Sequence, residues 1–183
     1  MAKALPVIYL ARHGDTAWTV SGQHTGRTDL PLTERGEDNA RALGTRLHGL
    51  AFAKIFTSPL QRASRTCQLA GFGSTAERDP DLMEWDYGEY EGRRTAEIHV
   101  ERPHWQLFRD GCPGGESPTE IGARADRLVG RVRRHSGRCF AVLGRVFSAR
   151  ACRSLARPRA GWWALLSAGH NGLLRAGLRT QPI

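Results

Sequence analysis

The triplet Arg12-His13-Gly14 stands at the end of the short apolar run Val7-Ile8-Tyr9-Leu10-Ala11. That run reads as a buried strand, and the glycine permits an abrupt turn. Open parallel sheets place ligands beyond the carboxyl ends of their strands, so a histidine there is a candidate nucleophile. Neutral imidazole attacks phosphorus well, and the guanidinium of Arg12 is a fork that matches two phosphate oxygens. By itself the triplet also fits a capped strand with a surface histidine. The four cysteines, Cys67, Cys112, Cys139 and Cys152, have no metal-ligand spacing and point to a reduced, cytoplasmic setting.

The elements that must hold such a site follow from periodicity and punctuation. A polar Gly/Thr loop is expected from Asp15 to Pro31. Thr33 caps a helix that reaches about Gly49, with Glu34 and Glu37 at its positive end. Lys54-Ile55-Phe56-Thr57 reads as a second strand. Ser58-Pro59 then starts a helix as cap and first residue, and Gly71 closes it. A short helix over Thr95–Glu101, an amphipathic helix over Pro118–Arg134 and a strand at Phe140–Leu143 complete the pattern. Strands alternating with helices predict an α/β fold, a three-layer sandwich with a mainly parallel central sheet flanked by helices.

The chain has 183 residues and a formal net charge of +9. All 18 acids lie in residues 1–126, which balance at −3, whereas residues 127–183 balance at +12. The basicity therefore belongs to the last third. With no aromatic interleaving or known motif among the bases, it predicts no nucleic-acid partner. No apolar run approaches the roughly 18 residues a membrane span requires, so no membrane partner is expected either. Residues 1–6 run straight into the first strand, so no secretory signal is expected. Oligomeric state is not legible.

Three ordered motifs over residues 7–126 carry a resemblance. They are Leu10-Ala11-Arg12-His13-Gly14-Asp15-Thr16-Ala17-Trp18 with Ser21-Gly22-Gln23-His24-Thr25-Gly26-Arg27-Thr28-Asp29, then Phe56-Thr57-Ser58-Pro59-Leu60-Gln61-Arg62-Ala63, then Leu82-Met83-Glu84-Trp85-Asp86-Tyr87-Gly88-Glu89-Tyr90-Glu91-Gly92. Together they resemble the histidine phosphatase (phosphoglycerate-mutase-like) superfamily. The resemblance implies that His13 becomes a phosphohistidine, that Arg12 and Arg62 clamp the phosphoryl oxygens, and that Glu84 protonates the leaving alcohol and then activates water. It also implies that Thr25 touches the phosphate while Gln23 and His24 line the substrate entry. Clustered cations stabilise charge at phosphorus, so neither metal nor cofactor is expected. Asp86, Glu89 and Glu91 are rival choices for the acid, whereas His48, His99, His104 and His135 carry no motif.

The stretch from Glu84 through Trp105, Arg109 and Gly114-Gly115 is similar to the sedoheptulose-bisphosphatase-like branch. That implies a small phosphorylated metabolite, a sugar phosphate, as substrate. Arg109 and Trp105 would form a lid, one gripping a second anion and one shielding water. The long insertion of cofactor-dependent mutases is absent, which favours hydrolysis over mutase-type phosphotransfer. A non-catalytic relative that only binds phosphorylated ligands is the other alternative.

The superfamily implies a second histidine after the strand that follows the long helix, but Arg145 stands there. Either the residue is substituted or the reading frame has shifted. Codons for Arg150–Pro158 exist that, read one base later, encode V-L-A-A-R-W-L-G-L, and codons for Leu173–Thr180 likewise give S-C-G-L-G-Y-E. Both resemble family segments, so residues 1–144 are expected to form the α/β domain and 145–183 an aberrant, out-of-frame tail. On this reading Ser167–Gly172 is an accident of frame. The rival makes Ala164-Leu165-Leu166 a strand and His170 a displaced second histidine. A shifted tail is expected to lose a strand with its covering helix, and to lower stability or solubility.

Overall fold

Three β-strands with apolar residues on both faces dictate the architecture, because each must be covered on two sides. The structure is a computed structural model, and it describes residues 6–144, Phe147 and the backbone of residues 173–177. β1 (Val7–Arg12), β2 (Lys54–Thr57) and β4 (Arg138–Leu143) are the core strands, with β3 (Glu77–Arg78) at one edge and β5 (Leu173–Gly177) at the other. The sheet order is β3-β2-β4-β1-β5. All pairings are parallel except β5, which runs antiparallel to β1 with Val7 opposite Gly177 and Ala11 opposite Leu173.

The strand alternation divides the core into two clusters. Ile8, Leu10, Phe56, Ala141 and Leu143 face one side, where they meet Ile121, Ala125 and Leu128 of α6 (Pro118–Arg133) together with Leu82, Trp85 and Ile98. Tyr9, Ala11, Ile55, Phe140 and Val142 face the other. There they pack on Leu43 and Leu47 of α2 (Glu34–Leu47) and on Ala63 and Cys67 of α3 (Gln61–Leu69). The result is the expected three-layer sandwich.

Local signals set most helix ends. Thr33 Oγ1 accepts from the Gly36 amide at the start of α2. Ser117 and Glu120 form a reciprocal capping box at the start of α6, with Pro118 as its first residue. The short helix α4 spans Thr95–Glu101, as read from the sequence.

Three expectations are corrected. α3 begins at Gln61, not at Ser58-Pro59. Ser58 instead continues the sheet by donating its amide to the Val142 carbonyl, and the helix is capped from afar by Asp29, whose carboxylate accepts from the Gln61 amide at 2.8 Å. The loop expected from Asp15 contains α1 (Ala17–Ser21), capped by Thr16, and a further turn, α5 (Leu107–Asp110), interrupts the Trp105 loop. Finally, the C-terminal third does supply an edge strand, β5. The other expectations for residues 145–183, including Arg145 and His170, lie outside the described residues. No helix among the described residues is long and apolar enough to cross a membrane.

The long helix is locked to the acidic stretch by one buried cation. Arg124 is 7% exposed and grips both Glu116 carboxylate oxygens at 2.7 Å. It also donates to the carbonyls of Asp81, Met83 and Glu84. Removing one partner of such a buried pair strands the other charge. Arg124→Met is therefore expected to cost about 3–5 kcal/mol in urea unfolding. Arg127→Ala, which breaks a half-exposed pair with Asp81, is expected to cost about 1 kcal/mol or less. Equal costs for the two would contradict this account.

Candidate active site

β1 delivers Arg12 and His13 to the carboxyl end of the sheet, and the His13 amide continues the ladder by donating to the Leu143 carbonyl. The ring is fixed from both sides. Nδ1 lies 2.8 Å from the Gly14 carbonyl, an acceptor only, so Nδ1 carries the proton. Nε2 therefore holds a lone pair, and Arg62 Nε donates to it at 3.2 Å. Burial, reinforced by the cations of Arg62 and Arg12, pulls the His13 pKa down to about 3 against the opposing pull of the Gly14 carbonyl and Asp15. His13 is thus a neutral imidazole that lines the cavity, with its unprotonated Nε2 accepting from Arg62.

Arg62, in the first turn of α3, is 1% exposed. Its NH1 donates to the Thr28 carbonyl at 2.8 Å, and its NH2 donates to the Gly26 carbonyl at 2.6 Å and the Thr25 carbonyl at 3.4 Å. Burial holds its pKa below the ordinary arginine value, opposed by the charges of Glu84, Asp29 and Glu91.

Glu84 lines a cavity of about 250 Å³ together with Arg12, His13, Gln23, His24 and Thr25, and Arg62 backs it through His13. Its Oε1 accepts from the amides of Trp85 at 2.8 Å and Phe147 at 2.9 Å. Gly144 leaves room for it: a Cβ there would lie 2.3 Å from Glu84 Oε2. The rival carboxylates are engaged elsewhere. Asp86 caps the Gly88 amide and pairs with Arg27, Glu89 is exposed, and Glu91 is bound by the amides of Gly26, Arg27 and Thr28.

Gln23 reaches the cavity wall but spends its amide on the Gly92 carbonyl at 2.7 Å. Thr25 Oγ1 donates to the Gln23 carbonyl at 3.3 Å. His24 stacks on Tyr87 with ring centroids 4.5 Å apart, and its Nε2 meets Thr95 Oγ1 at 3.2 Å. Burial lowers its pKa, against the pull of Glu91. Seven of the eight residues singled out in the sequence are thus brought together.

Arg109 is not. Its side chain is 57% exposed and forked onto Asp110, away from the cavity. Trp105 is not a lid either. It is 6% exposed, donates Nε1 to the Gly111 carbonyl at 2.8 Å, and backs the His24 ring edge-on. Leu107 of α5 lines the cavity instead. Thr19, Tyr87 and Thr95 also line it without having been singled out, because isolated Thr and Tyr side chains carry no spacing signal. A larger groove of about 690 Å³ crosses α2 and α3 but contains neither His13 nor Glu84, and one of about 410 Å³ is lined by Arg12 and His13 but not Glu84, so the cavity that joins histidine to carboxylate is the smaller one. Among the described residues no group of three or more His, Cys, Asp or Glu side chains could hold a metal ion.

Residues 8–175 match the profile of the Histidine phosphatase superfamily (branch 1). The chain is 39% identical over 130 residues to a protein named acid phosphatase from Mycobacterium tuberculosis, a match covering 70% of this chain and 64% of that one. It is 38% identical over 156 residues to the sedoheptulose 1,7-bisphosphatase of Saccharomyces cerevisiae, covering 72% of this chain and 57% of that one. The matches span less than two thirds of either relative's own length. Among solved structures, that of the open reading frame Rv3214 from Mycobacterium tuberculosis superposes with a TM-score of 0.80 at 32% identity, covering 95% of this chain and 97% of the other. With its strand-end histidine, buried arginine and facing carboxylate, the chain belongs to the histidine phosphatase superfamily.

Proposed function

We propose that this protein hydrolyses phosphomonoesters of small sugar phosphates through a phosphohistidine on His13. The observation that carries the reading is the neutral Nε2 of His13, held against Arg62 in the cavity that Glu84 faces. The Nε2 lone pair, released as the Arg62 Nε–H turns from it to a phosphoryl oxygen, attacks phosphorus as the ester P–O bond breaks, and protonated Glu84 gives its proton to the departing alkoxide. Glu84, now a carboxylate, takes a proton from water, whose oxygen attacks the phosphohistidine. The P–N bond then breaks and the electron pair returns to Nε2. Arg12 and Arg62 stabilise the charge on the equatorial oxygens throughout. Thr25 supports the phosphate, and Gln23, His24 and Thr95 offer polar groups to a sugar. Arg109 has no part in this reading.

The three described cysteines, Cys67, Cys112 and Cys139, are free and buried, which supports a cytoplasmic setting. The missing second histidine at Arg145 supports the further proposal that residues from about 145 onward are out of frame. Sequencing the coding DNA across codons 140–150 tests it. A frame-restoring single-base change is expected, and an intact frame with no family-like product one base away would refute the shift.

An acid-quench experiment with a labelled sugar phosphate tests the mechanism. The expected outcome is a trapped phosphohistidine that His13→Ala abolishes, with loss of at least about 1,000-fold in turnover. Tight binding of sugar phosphates with neither turnover nor trapped label would replace this reading with ligand binding alone.

The neutrality of His13 also has a signature that needs no substrate. The unfolded chain takes up a proton near pH 6.5, whereas the folded state does so only near 3. The histidine's contribution to stability is therefore complete above pH 6.5 and is lost as the pH falls toward 3. At about 1.4 kcal/mol per pH unit, the protein is expected to lose roughly 2–3 kcal/mol more than His13→Asn between pH 6.5 and 4.5. Parallel losses in the two proteins would show that His13 is not buried neutral.

A further inference from the structure

Glu91 ends the acidic motif but does not line the cavity, and the mechanism above does not use it. Its surroundings are nonetheless unusual for a side chain at the edge of a site. Oε1 accepts from the amide of Arg27 at 2.9 Å and of Tyr87 at 3.3 Å. Oε2 accepts from the amides of Gly26 at 3.1 Å and Thr28 at 3.3 Å, and from Thr28 Oγ1 at 2.7 Å. Three consecutive amides thus converge on one carboxylate. Successive N–H groups of this kind form an anion-binding concavity, here filled by the protein's own side chain.

The same peptide groups face Arg62 with their other ends. The unit joining Thr25 to Gly26 donates its N–H to Glu91 and offers its carbonyl to Arg62 at 3.4 Å, and the unit joining Gly26 to Arg27 does so with its carbonyl at 2.6 Å. Two peptide dipoles are therefore strung between an anion and a cation, each polarised by both. Only glycine fits between them. A Cβ on Gly26 would lie 2.0 Å from Glu91 Oε1 and 2.2 Å from the Trp85 carbonyl.

We propose that Glu91 is a positioning residue that acts through the 25–28 loop to aim Arg62 at Nε2 of His13. Its carboxylate orients the loop amides, the loop carbonyls hold three of the guanidinium's five donors on NH1 and NH2, and Nε–H is thereby directed at the imidazole. Glu91 thereby holds His13 in the Nδ1–H tautomer without touching it. The other charges on the pair are Arg12 and Asp15 beside His13, and Glu84, Asp29 and Arg12 around Arg62. The inference rests on the proposed function only in taking His13 as the reacting group.

Glu91→Gln tests it, because an amide cannot accept from this set of donors without turning its own NH2 against one of them. In ¹⁵N spectra of the full chain, the parent is expected to show a protected Arg62 Nε–H and a neutral, Nδ1-protonated His13 down to pH 5. In Glu91→Gln the Arg62 signal is expected to be lost to exchange and the His13 titration midpoint to rise by about 1–3 units, since its nearest cation is no longer held there. Turnover of a sugar phosphate should fall about 100-fold in kcat with a smaller change in KM. Glu89→Gln removes the same charge from an exposed neighbour and should move neither signal.

A folded Glu91→Gln with both signals at parental values overturns the proposal, whatever its melting temperature. So does an equal shift in Glu89→Gln. If Glu91→Gln does not fold, Thr28→Val serves in its place. It removes one donor to Glu91 but keeps the carbonyl that Arg62 uses, and it should shift both signals in the same direction by less. Parental signals in Thr28→Val would then overturn the proposal. If the parent fails to turn over sugar phosphates, the proposed function fails while the spectra still report on Glu91.

Discussion

The burial of the Arg62 guanidinium is the constraint around which the rest of this site is arranged. A cation removed from water costs far more than a fold can carry unless its donors are met. At 1% exposure Arg62 meets four of its five with two strong loop carbonyls, a weaker third and the lone pair of His13. That requirement fixes the path of residues 25–28 and hence the wall of the cavity. It also fixes where α3 can begin, since Asp29, in the same loop, caps Gln61 one residue before the guanidinium's own Cα. Loop, helix start and nucleophile are one hydrogen-bonded unit.

The sheet supplies the other half of the geometry. β1 and β4 are parallel neighbours, so Arg12 and Leu143 lie side by side at the same end. Exiting β1, the chain presents His13; exiting β4, it passes under Glu84. Two strand ends thus hold the nucleophile and the carboxylate across a small cavity. Arg124 secures the carboxylate's backbone from behind, through the carbonyls of Met83 and Glu84. The acids of residues 79–91 are largely consumed in such contacts, with Arg127 and Arg131 taking Asp81 and Asp79. Part of the basic excess that begins at Arg127 is therefore matched by acids from the middle of the chain.

Legibility in the sequence divided along the range of the interactions. Apolar runs and caps within four residues of what they cap are local, and β1, β2, β4, α2, α4 and α6 were readable from them. α3 was misjudged because its cap is Asp29, 32 positions upstream, and Ser58-Pro59 mimics a local start. α1 was invisible because five residues with Trp18, Thr19 and Val20 show no apolar period. Arg109 and Trp105 were misplaced for the same reason as each other. A resemblance transfers residue types, but whether a loop side chain points into a cavity depends on its tertiary partner. For Arg109 that is its own neighbour Asp110, and for Trp105 it is the carbonyl of Gly111. The tie between Glu91 and the loop was unreadable because all but one of its donors, Thr28 Oγ1, are backbone amides, which every residue but proline has.

The exit of β4 shows how a site can be sensitive and indifferent to sequence at adjacent positions. Glu84 Oε1 takes two backbone donors, one of them the Phe147 amide. Almost any residue could supply that N–H, so an altered tail can still hold the carboxylate provided its backbone follows the same course. Position 144 has no such latitude, because a Cβ there would meet Glu84 Oε2 at 2.3 Å and its Cδ at 2.7 Å. The carboxylate and the strand exit must therefore keep their fit at Gly144 even where the residues beyond it differ from the family. The chain thus retains at Gly144 the backbone that seats its acid, directly before the position where the sequence has Arg145 in place of the expected second histidine.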